Sequence, residues 1–342
     1  MTTGYVYDPL YLEHRASGHP ERPERLSSIL NALQASGVWD GLVAIPAMDA
    51  SIEQIAAVHD ERYIATVREM ASQGGGWLDG DTYLNSRSYD AALRAAGGLL
   101  NAVKAVIEGQ VDNAFALVRP PGHHAIARRG MGFCLFNNVA IAAKYALSEF
   151  DLERILIVDF DVHHGNGTQD AFYDDPHVLY FSTHEYPFYP GTGHWSETGE
   201  GAGTGYTVNV PLPAGTGDEG YARIFDEILR PIAARYAPQL ILVSAGYDAH
   251  WTDPLAMMKL SVSGYARMMQ VLVELAEATA NGRLVCTLEG GYHLEALAAG
   301  VVATCAVMSG LPVTDPLGPS PEAERDVSEA IDTVKQVHGL MS

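Results

Sequence analysis

The chain has 342 residues, of which 47% are hydrophobic and 18% charged, a composition typical of globular proteins and not of membrane-spanning or disordered ones. Its 42 acidic side chains outnumber the 21 basic ones, and the net charge of −21 disfavours nucleic acid as a partner because the phosphate backbone is also negative. The same charge suits cationic partners, although an acidic surface also serves solubility alone.

Short apolar segments rich in β-branched residues alternate with longer segments whose apolar residues recur at helical spacing. The predicted strands are 114–118, 154–159, 177–182, 205–210, 239–244 and 283–288. The predicted helices are 89–108, 136–149, 218–236, 262–280 and 293–309. This alternation predicts a mainly parallel sheet flanked by helices. Because no repeat or linker divides the chain, we expect one α/β domain over residues 1–342.

Polar clusters follow four of the predicted strands. They are PPGHH at 120–124, DFDVHH at 159–164, SAGYD at 244–248 and EGGY at 289–292. In open parallel sheets, ligands bind at the carboxyl ends of the strands because the loops there meet at one edge. The sequence therefore predicts a single active site built from these loops.

A metal centre is the first hypothesis for this site. Asp161 and His163 are two residues apart at a strand end and project to the same side, and Asp248 can supply a third ligand. One imidazole and two carboxylates suit Zn²⁺ and leave a coordination position open for catalysis, although Fe²⁺ also accepts this set. In the alternative interpretation Asp161 caps the next helix and His163 is a buried structural histidine.

Acid–base groups are the second component. His123 and His124 follow a Pro-Pro-Gly turn, and hydrolysis of an amide needs both a base for water and an acid for the leaving amine, which one histidine can provide. Asp159 is the candidate to hold the other histidine as an imidazolium. Tyr292, after two glycines, can donate a hydrogen bond to an oxyanion. The alternatives are two surface histidines and a packing tyrosine.

Location is predicted from the chain start and the cysteines. Segment 1–15 has neither a basic stretch nor an apolar run, so we expect no secretory signal and a cytoplasmic protein without membrane association. Cys134, Cys286 and Cys305 lack CxxC spacing and are odd in number, which favours buried thiols in a reducing compartment.

Together the motifs resemble the histone deacetylase and acetylpolyamine amidohydrolase superfamily, and in particular its class II-like bacterial members. The motifs that carry the resemblance are HPERPERL at 19–26, RPPGHHA at 119–125, GMGFCLFNNVAIAA at 130–143, DFDVHHGNGTQDAFY at 159–173, YPGTG at 189–193, SAGYDAH at 244–250 and EGGY at 289–292. The resemblance implies an arginase-deacetylase-like α/β fold with its active site at the carboxyl ends of the strands. It also implies a zinc-dependent hydrolase of linear amide bonds.

The resemblance assigns metal sites residue by residue. It makes Asp161, His163 and Asp248 the ligands of one zinc ion, which agrees with the hypothesis drawn from the residues. It also implies a structural potassium ion. The potassium site would involve Asp159, Asp161, His163 and Ser182.

The resemblance also assigns catalytic roles. His124 would be the general base and acid, His123 the electrostatic partner held by Asp159, and Tyr292 the donor to the oxyanion. Asn166 stands where class I members tend to have Asp, which indicates a class II protein with a neutral partner for His124. Tyr292 is retained where weakly active class IIa members have His, which favours genuine hydrolysis.

Substrate contacts are assigned in the same way. Phe133 and Tyr189 would form the walls of a channel around the acetyllysine stem, although Tyr189 departs from the more usual Phe, and the Gly132 carbonyl would accept from the substrate amide. In the entrance segment 74–87, Asp79 or Asp81 is a candidate to contact the substrate backbone.

The choice of substrate depends on Leu255. Polyamine-selective class IIb members place a glutamate seven residues after the last zinc ligand, where it meets the distant ammonium of the substrate; here that position is Leu255. We therefore expect acetylated or otherwise acylated lysine in peptides or proteins as substrate. Acetylated polyamines are the nearest alternative, since other polyamine enzymes select substrates through a channel built by a dimer, and a homo-oligomer is compatible with the sequence.

Two hypotheses come from other classes. A non-catalytic acetyllysine-binding module would bind without turnover. A dimanganese ureohydrolase of the arginase type would need a second aspartate-rich ligand set, and the sequence has only the one around Asp161, His163 and Asp248.

Overall fold

An eight-stranded parallel sheet forms the centre of the protein in the computed structural model, which describes residues 1–341. The strands are β1 (Thr3–Val6), β2 (Leu42–Ile45), β3 (Gly75–Trp77), β4 (Tyr83–Asn85), β5 (Asn113–Ala116), β6 (Ile155–Asp159), β7 (Val178–Glu185), β8 (Thr207–Leu212), β9 (Leu240–Ala245) and β10 (Leu284–Leu288). The sheet order is β2-β1-β5-β10-β9-β6-β7-β8, and β3 and β4 form a separate antiparallel pair. Ser342 lies outside the described residues.

Helices connect and cover these strands. They are α1 (Glu24–Ala35), α2 (Ile52–Ala56), α3 (Glu61–Ser72), α4 (Ser88–Ile107), α5 (Asn138–Glu149), α6 (Asn166–Phe172), α7 (Asp218–Ile224), α8 (Arg230–Tyr236), α9 (Val262–Thr279), α10 (Leu294–Met308) and α11 (Ser328–Val337). A π-helical segment, Phe225–Leu229, joins α7 to α8. Helices α1, α10 and α9 pack in one layer and α4 and α5 in another. Among the described helices, none is both long and apolar enough to cross a bilayer.

The central strands are buried along their whole length. Every residue of β5, β6, β9 and β10 is buried, which explains their continuous apolar runs, because helices cover both faces of the sheet. The predicted α/β fold with a parallel central sheet is confirmed, and the six predicted strands and five predicted helices are present with small shifts at their ends. The three cysteines are buried and free of disulfides.

The sheet has two further strands that the sequence patterns did not predict. Strand β1 is only four residues long and contains a glycine, and β2 at the sheet edge exposes two of its four residues. Strand β1 (TGYV) lacks the continuous apolar run that marks a buried strand, and the apolar run of β2 (LVAI) has only four residues, the lower limit of strand length. Helices α1, α2, α3, α6 and α11 and the β3–β4 pair were also not predicted.

The register of the central strands places polar residues level with one another. Asp159 at the end of β6 lies opposite Ser182 of β7 on one side and Ser244 of β9 on the other. The loops that follow β5, β6, β9 and β10 therefore leave the sheet from one edge. All four predicted polar clusters lie at this carboxyl edge.

Candidate active site

A cavity of about 220 Å³ opens at the carboxyl edge of the sheet. It is lined by eight residues selected from the loops after the central strands, which are His123, His124, Gly132, Phe133, His163, Tyr189, Leu255 and Tyr292, and by Asp81 of the entrance segment. The cavity therefore brings together side chains from the loops after five different strands. Phe188, which the sequence patterns did not single out, lines it as well and stacks on the His163 ring with centroids 5.5 Å apart.

Three candidate metal ligands converge behind this cavity. The Nδ1 atom of His163 lies 3.1 Å from Oδ1 of Asp161 and 3.3 Å from Oδ2 of Asp248. All three residues form one group whose ligand atoms lie within 4.8 Å of one another. Two ligands bound tetrahedrally at about 2.1 Å from an ion lie about 3.4 Å apart, so the observed separations suit a zinc-sized ion.

Hydrogen bonds leave one oxygen of this group available. Asp161 accepts from the amides of His163 (2.9 Å) and Gly290 (2.8 Å), and Oδ1 of Asp248 accepts from Val162 (3.0 Å). Within residues 1–341, Oδ2 of Asp248 is a buried oxygen without a hydrogen-bond partner. A buried carboxylate oxygen costs free energy unless a cation or donor meets it, so the donor set fits a divalent cation.

Asp161 does not cap a helix. The next helix, α6, begins after Gly165 without a side-chain cap, and both Asp161 oxygens are used as described above. A side chain at Gly290 would collide with the carboxylates of Asp161 and Asp248, so glycine is required where this backbone passes the candidate metal ligands.

His123 and His124 lie together but have different partners. Both are only 3% exposed, so they are not surface histidines, and their ring centroids are 4.0 Å apart. His123 Nδ1 lies 3.0 Å from Oδ2 of Asp159. Burial lowers the pKa of His123, but the charges of Asp159 and Asp161 outweigh burial and raise this pKa to about 10. His123 is therefore an imidazolium.

His124 is held in the neutral state. Its Nδ1 lies 2.8 Å from Oδ1 of Asn166, an uncharged amide. Burial and the positive charge of His123 hold the pKa of His124 well below its usual range. Because Nδ1–H donates to the Asn166 oxygen, the lone pair of the neutral ring is on Nε2.

Glu289 and His59 hold the loop that carries both histidines. Oε2 of Glu289 accepts from the amides of Gly122 (2.7 Å) and His123 (3.2 Å). His59 lies 3.1 Å from the Ile126 carbonyl through Nδ1 and accepts from the Asn137 amide through Nε2 (2.8 Å). The sequence patterns did not assign either residue, since each acts on a segment distant in the chain.

The next turn of this loop has a left-handed backbone. Gly132 has φ of 55° and Phe133, which is not glycine, has φ of 70°. A side chain at Gly132 would collide with the His124 ring, so only glycine allows the loop to pass this close to the imidazole. The Phe133 amide donates to Oγ1 of Thr82 (3.1 Å), and the ring meets Tyr292 edge-on at 5.7 Å.

Tyr292 projects into the cavity from a chain segment that needs glycine. Gly291, which precedes it, has φ of 113°. The Arg25 guanidinium lies over the Tyr292 ring at 5.0 Å and donates from Nε to the Gly291 carbonyl (2.7 Å). Burial raises the pKa of the Tyr292 phenol well above its usual value, so the hydroxyl keeps its proton and can donate it in a hydrogen bond.

The two aspartates of the entrance segment 74–87 have different contacts. Asp81 is exposed and lines the cavity, whereas Asp79 accepts from the amides of Asp81 (3.1 Å) and Thr82 (2.7 Å) and so shapes the turn. Of the two candidates, Asp81 is the one placed to contact a ligand. Tyr189 is 39% exposed and meets the His124 ring edge-on at 5.1 Å.

The residues predicted to surround potassium are adjacent. Asp159 and Ser182 face each other across β6 and β7, and Asp161 and His163 follow in the next turn. The Ser182 hydroxyl lies 2.9 Å from Nδ1 of His184. These contacts place the predicted residues together without identifying an ion.

Comparisons with known proteins agree on one family. A sequence model of the histone deacetylase domain matches residues 19–308. A probable deacetylase of Archaeoglobus fulgidus is 44% identical over 353 residues, which cover 99% of this chain and 98% of that protein. The human polyamine deacetylase HDAC10 is 40% identical over 326 residues, which cover 91% of this chain and 48% of that protein. The crystal structure of the HDA15 HD domain matches with a TM-score of 0.89 and 36% identity, covering 98% of this chain and 95% of that one.

The fold and the site define an α/β protein with paired histidines beside a candidate metal centre at the carboxyl edge of a parallel sheet. Because the family model covers most of the chain, and a relative aligns over nearly all of it, the chain belongs to the histone deacetylase family. The resemblance drawn from the sequence motifs is confirmed at the level of the family, and a deacetylase is the kind of hydrolase that these relatives indicate.

Proposed function

We propose that this protein is a zinc-dependent amide hydrolase that removes acetyl or other acyl groups from N-acyllysine in peptides or proteins. The observation that carries the proposal is the combination, at one cavity, of a charged imidazole, a neutral imidazole and three convergent metal-ligating atoms. An amide hydrolase needs these three functions, which are charge stabilisation, proton transfer and polarisation of the carbonyl.

Asp161, His163 and Asp248 would hold the zinc ion. When bound, zinc would supply Lewis acidity at the substrate carbonyl. The separations of 3.1 and 3.3 Å between the ligand atoms and the orphaned Asp248 oxygen support this assignment. Fe²⁺ fits the same donors, and metal availability would decide between the two.

His124 would move the proton. Because Asn166 engages Nδ1, the free lone pair of the neutral ring at Nε2 can take a proton from the attacking water. The same nitrogen then returns it to the leaving amine, which departs as the neutral amine of lysine. Asn166 is a positioning partner that orients the ring without adding a charge.

His123 and Tyr292 would stabilise negative charge. The His123 imidazolium, held by Asp159, places a fixed positive charge beside the reacting carbonyl. The protonated Tyr292 hydroxyl would donate to the oxyanion as the carbonyl carbon becomes tetrahedral. Both groups are part of the cavity lining, so neither needs to move a long distance to act.

The cavity walls would select a flat aliphatic stem. Phe133 and Tyr189 would enclose the methylene chain of lysine, and the Gly132 carbonyl would accept from the amide of the acetyllysine group. Leu255 lines the cavity and carries no charge, so it offers no partner for a distant ammonium. Asp81 would contact the peptide backbone at the entrance.

Acetylated polyamines are the second candidate substrates. One relative, aligned over 91% of this chain, is named a polyamine deacetylase, and the net charge of −21 would favour small cations. Leu255 favours the peptide because the position that could select an ammonium is apolar. We also propose a structural potassium ion near Asp159 and Ser182, supported by their adjacency in the sheet.

Steady-state hydrolysis of an acetyllysine peptide and of N-acetylputrescine tests the proposal. We expect a higher kcat/KM for the peptide, and a loss of about 10²- to 10³-fold in kcat for Tyr292→Phe, the cost typical of one missing oxyanion donor. Tyr145→Phe, in α5 and outside the cavity lining, is the matched control. A strong preference for the polyamine would reverse the substrate assignment, and binding without turnover would replace the enzyme with an acetyllysine-binding module.

A further inference from the structure

A buried carboxylate outside the predicted site connects two of its segments. Asp253 is 6% exposed and lies in the segment between β9 and α9. Its Oδ1 accepts from the amide of Leu255 (3.0 Å), and its Oδ2 accepts from the amides of Tyr292 (2.7 Å) and His293 (3.1 Å). One side chain is thus bonded to the backbone of two segments that line the cavity.

We propose that Asp253 is a positioning residue that sets the place of the Tyr292 hydroxyl and couples it to the Leu255 segment. The inference rests on the proposed function, because it assumes that Tyr292 donates to the oxyanion. Asp253 itself does not line the cavity and is not proposed to touch substrate.

The backbone before Tyr292 needs such a restraint. Gly290 and Gly291 precede the tyrosine, and glycine gives the chain more freedom than any other residue. Arg25 restrains the Gly291 carbonyl, but its position over the Tyr292 ring acts on the ring face only. The bond from Asp253 is the contact made to the Tyr292 amide itself.

Three backbone amides favour the charged form of Asp253, while burial and the charge of Asp248 raise its pKa to about 7. A carboxylate that accepts from backbone amides forms bonds roughly twice as strong as those between neutral groups. The amides of Tyr292 and His293 also lie directly before α10, which begins at Leu294, so the carboxylate faces the positive end of a helix of fifteen residues. The bonds to Asp253 therefore hold Tyr292 in place at the start of α10.

The Leu255 segment has a second restraint that does not reach Tyr292. Oε2 of Glu185, a residue 3% exposed at the end of β7, accepts from the Met257 amide (3.0 Å). Both carboxylates are therefore buried and bond to the same segment. Because only Asp253 also bonds to Tyr292, Glu185 provides a matched control.

A double-mutant cycle between Asp253→Asn and Tyr292→Phe tests the proposal on the zinc-loaded full chain with an acetyllysine peptide. Asparagine keeps the shape but has one acceptor oxygen, so an amide hydrogen on one side loses its partner. We expect Asp253→Asn to lower kcat by about ten- to hundredfold, the cost of a misplacement near 1 Å, with a smaller change in KM.

The expected signature is non-additivity. In the Tyr292→Phe background, Asp253→Asn should lower kcat by less than about twofold, because the group that it positions is already absent. Glu185→Gln should have the same effect in both backgrounds. Zinc content measured by plasma mass spectrometry should stay near one per chain in all variants, which separates positioning from metal loss.

Three results would overturn the inference. An unchanged kcat for Asp253→Asn, or equal losses in both backgrounds, would overturn the positioning role and leave the proposed function intact. Full kcat for Tyr292→Phe would overturn the oxyanion assignment, and the inference with it. If Asp253→Asn does not fold, Asp253→Glu replaces it in the cycle, since the longer side chain keeps the charge but shifts the carboxylate, and the same non-additivity is expected.

Discussion

The base and the mouth of the cavity are built in different ways. At the base, His123, His124, Asp161 and Asp248 are each at most 3% exposed and bonded to the backbone or to another side chain. At the mouth, Tyr189 is 39% exposed, and its ring contacts are edge-on meetings with the imidazoles of His124 and His163. Buried hydrogen bonds beside the strand ends position the base, whereas the mouth is formed by more exposed residues.

From this difference we expect the base to carry the reaction and the mouth to select the substrate. A change at the base should remove metal binding or proton transfer, because a buried polar group that loses a partner is costly. A change at the mouth should alter which acylated amine enters, with small effects on the reaction. The following predictions test that division, from the largest expected effect to the smallest.

The largest effect is expected for Asp248→Ala. Removing this carboxylate leaves two candidate ligands, so zinc content should fall well below one per chain. Activity should drop by at least about a thousandfold, because Lewis acid assistance contributes several kcal/mol. Metal analysis and kcat/KM for an acetyllysine peptide measure both. The exposed Asp151→Ala is the control, and retained zinc with full activity in Asp248→Ala would contradict the assigned ligand set.

Acid should destabilise the folded protein through His59, which holds the loop that carries His123 and His124. Burial lowers the pKa of His59 to about 4, and the unfolded chain binds this proton near pH 6.5. Between these values the unfolded state binds more protons, so the contribution of His59 is complete above pH 6.5 and is lost as the pH falls, by about 3 kcal/mol at pH 4.

Urea unfolding at pH 7 and at pH 4 measures this loss. The chain has 13 histidines, so the contribution of one is isolated by His59→Gln, which cannot take up the proton. The free energy of unfolding of this variant should depend less on pH than that of the natural chain. An identical pH dependence in both proteins would show that His59 does not carry the effect.

Gly132→Ala should displace His124 at the base of the cavity. The added methyl group collides with the His124 ring, and φ of 55° is strained for alanine. We expect kcat/KM to fall about ten- to hundredfold because the imidazole is displaced. Gly191→Ala is the control, since it has φ of 90° but open space around it. Equal losses in both variants would attribute the effect to backbone strain alone.

Leu255→Glu should give the smallest effect. A carboxylate at this position would pair with the distant ammonium of an acetylated polyamine. Exposed ion pairs contribute up to about 1 kcal/mol, so the ratio of kcat/KM for N-acetylspermidine to that for the peptide should rise about two- to fivefold. Leu255→Gln, similar in size and uncharged, is the control. An equal rise in both variants would indicate a change of shape and not of charge.

Much of the fold was predictable because burial leaves a mark in the sequence. The strands of the sheet centre are continuous apolar runs, and the long helices carry apolar residues at helical spacing. Strand β1 was not predicted because its four residues include a glycine and form no continuous apolar run, and β2 because its apolar run LVAI is at the lower limit of strand length.

The candidate site was predictable in its residue types and chain positions. Asp161, His163 and Asp248, with the paired histidines, follow apolar strands, and strand ends meet at one edge in a parallel sheet. The residues that directly follow the strands could therefore be selected before any distance was known. The family motifs then assigned roles to them.

Only the tertiary structure revealed the groups that support these residues. Arg25 bonds to Gly291 across 266 positions of the chain, Glu289 to Gly122 across 167, and Asp253 to Tyr292 across 39. No local pattern predicts such partners, because nearly every residue carries a backbone amide and carbonyl. Only the folded geometry decides which of them a side chain contacts. The sequence by itself determined which residue types meet at the strand ends, and the packing of distant loops decided how each of these groups is held.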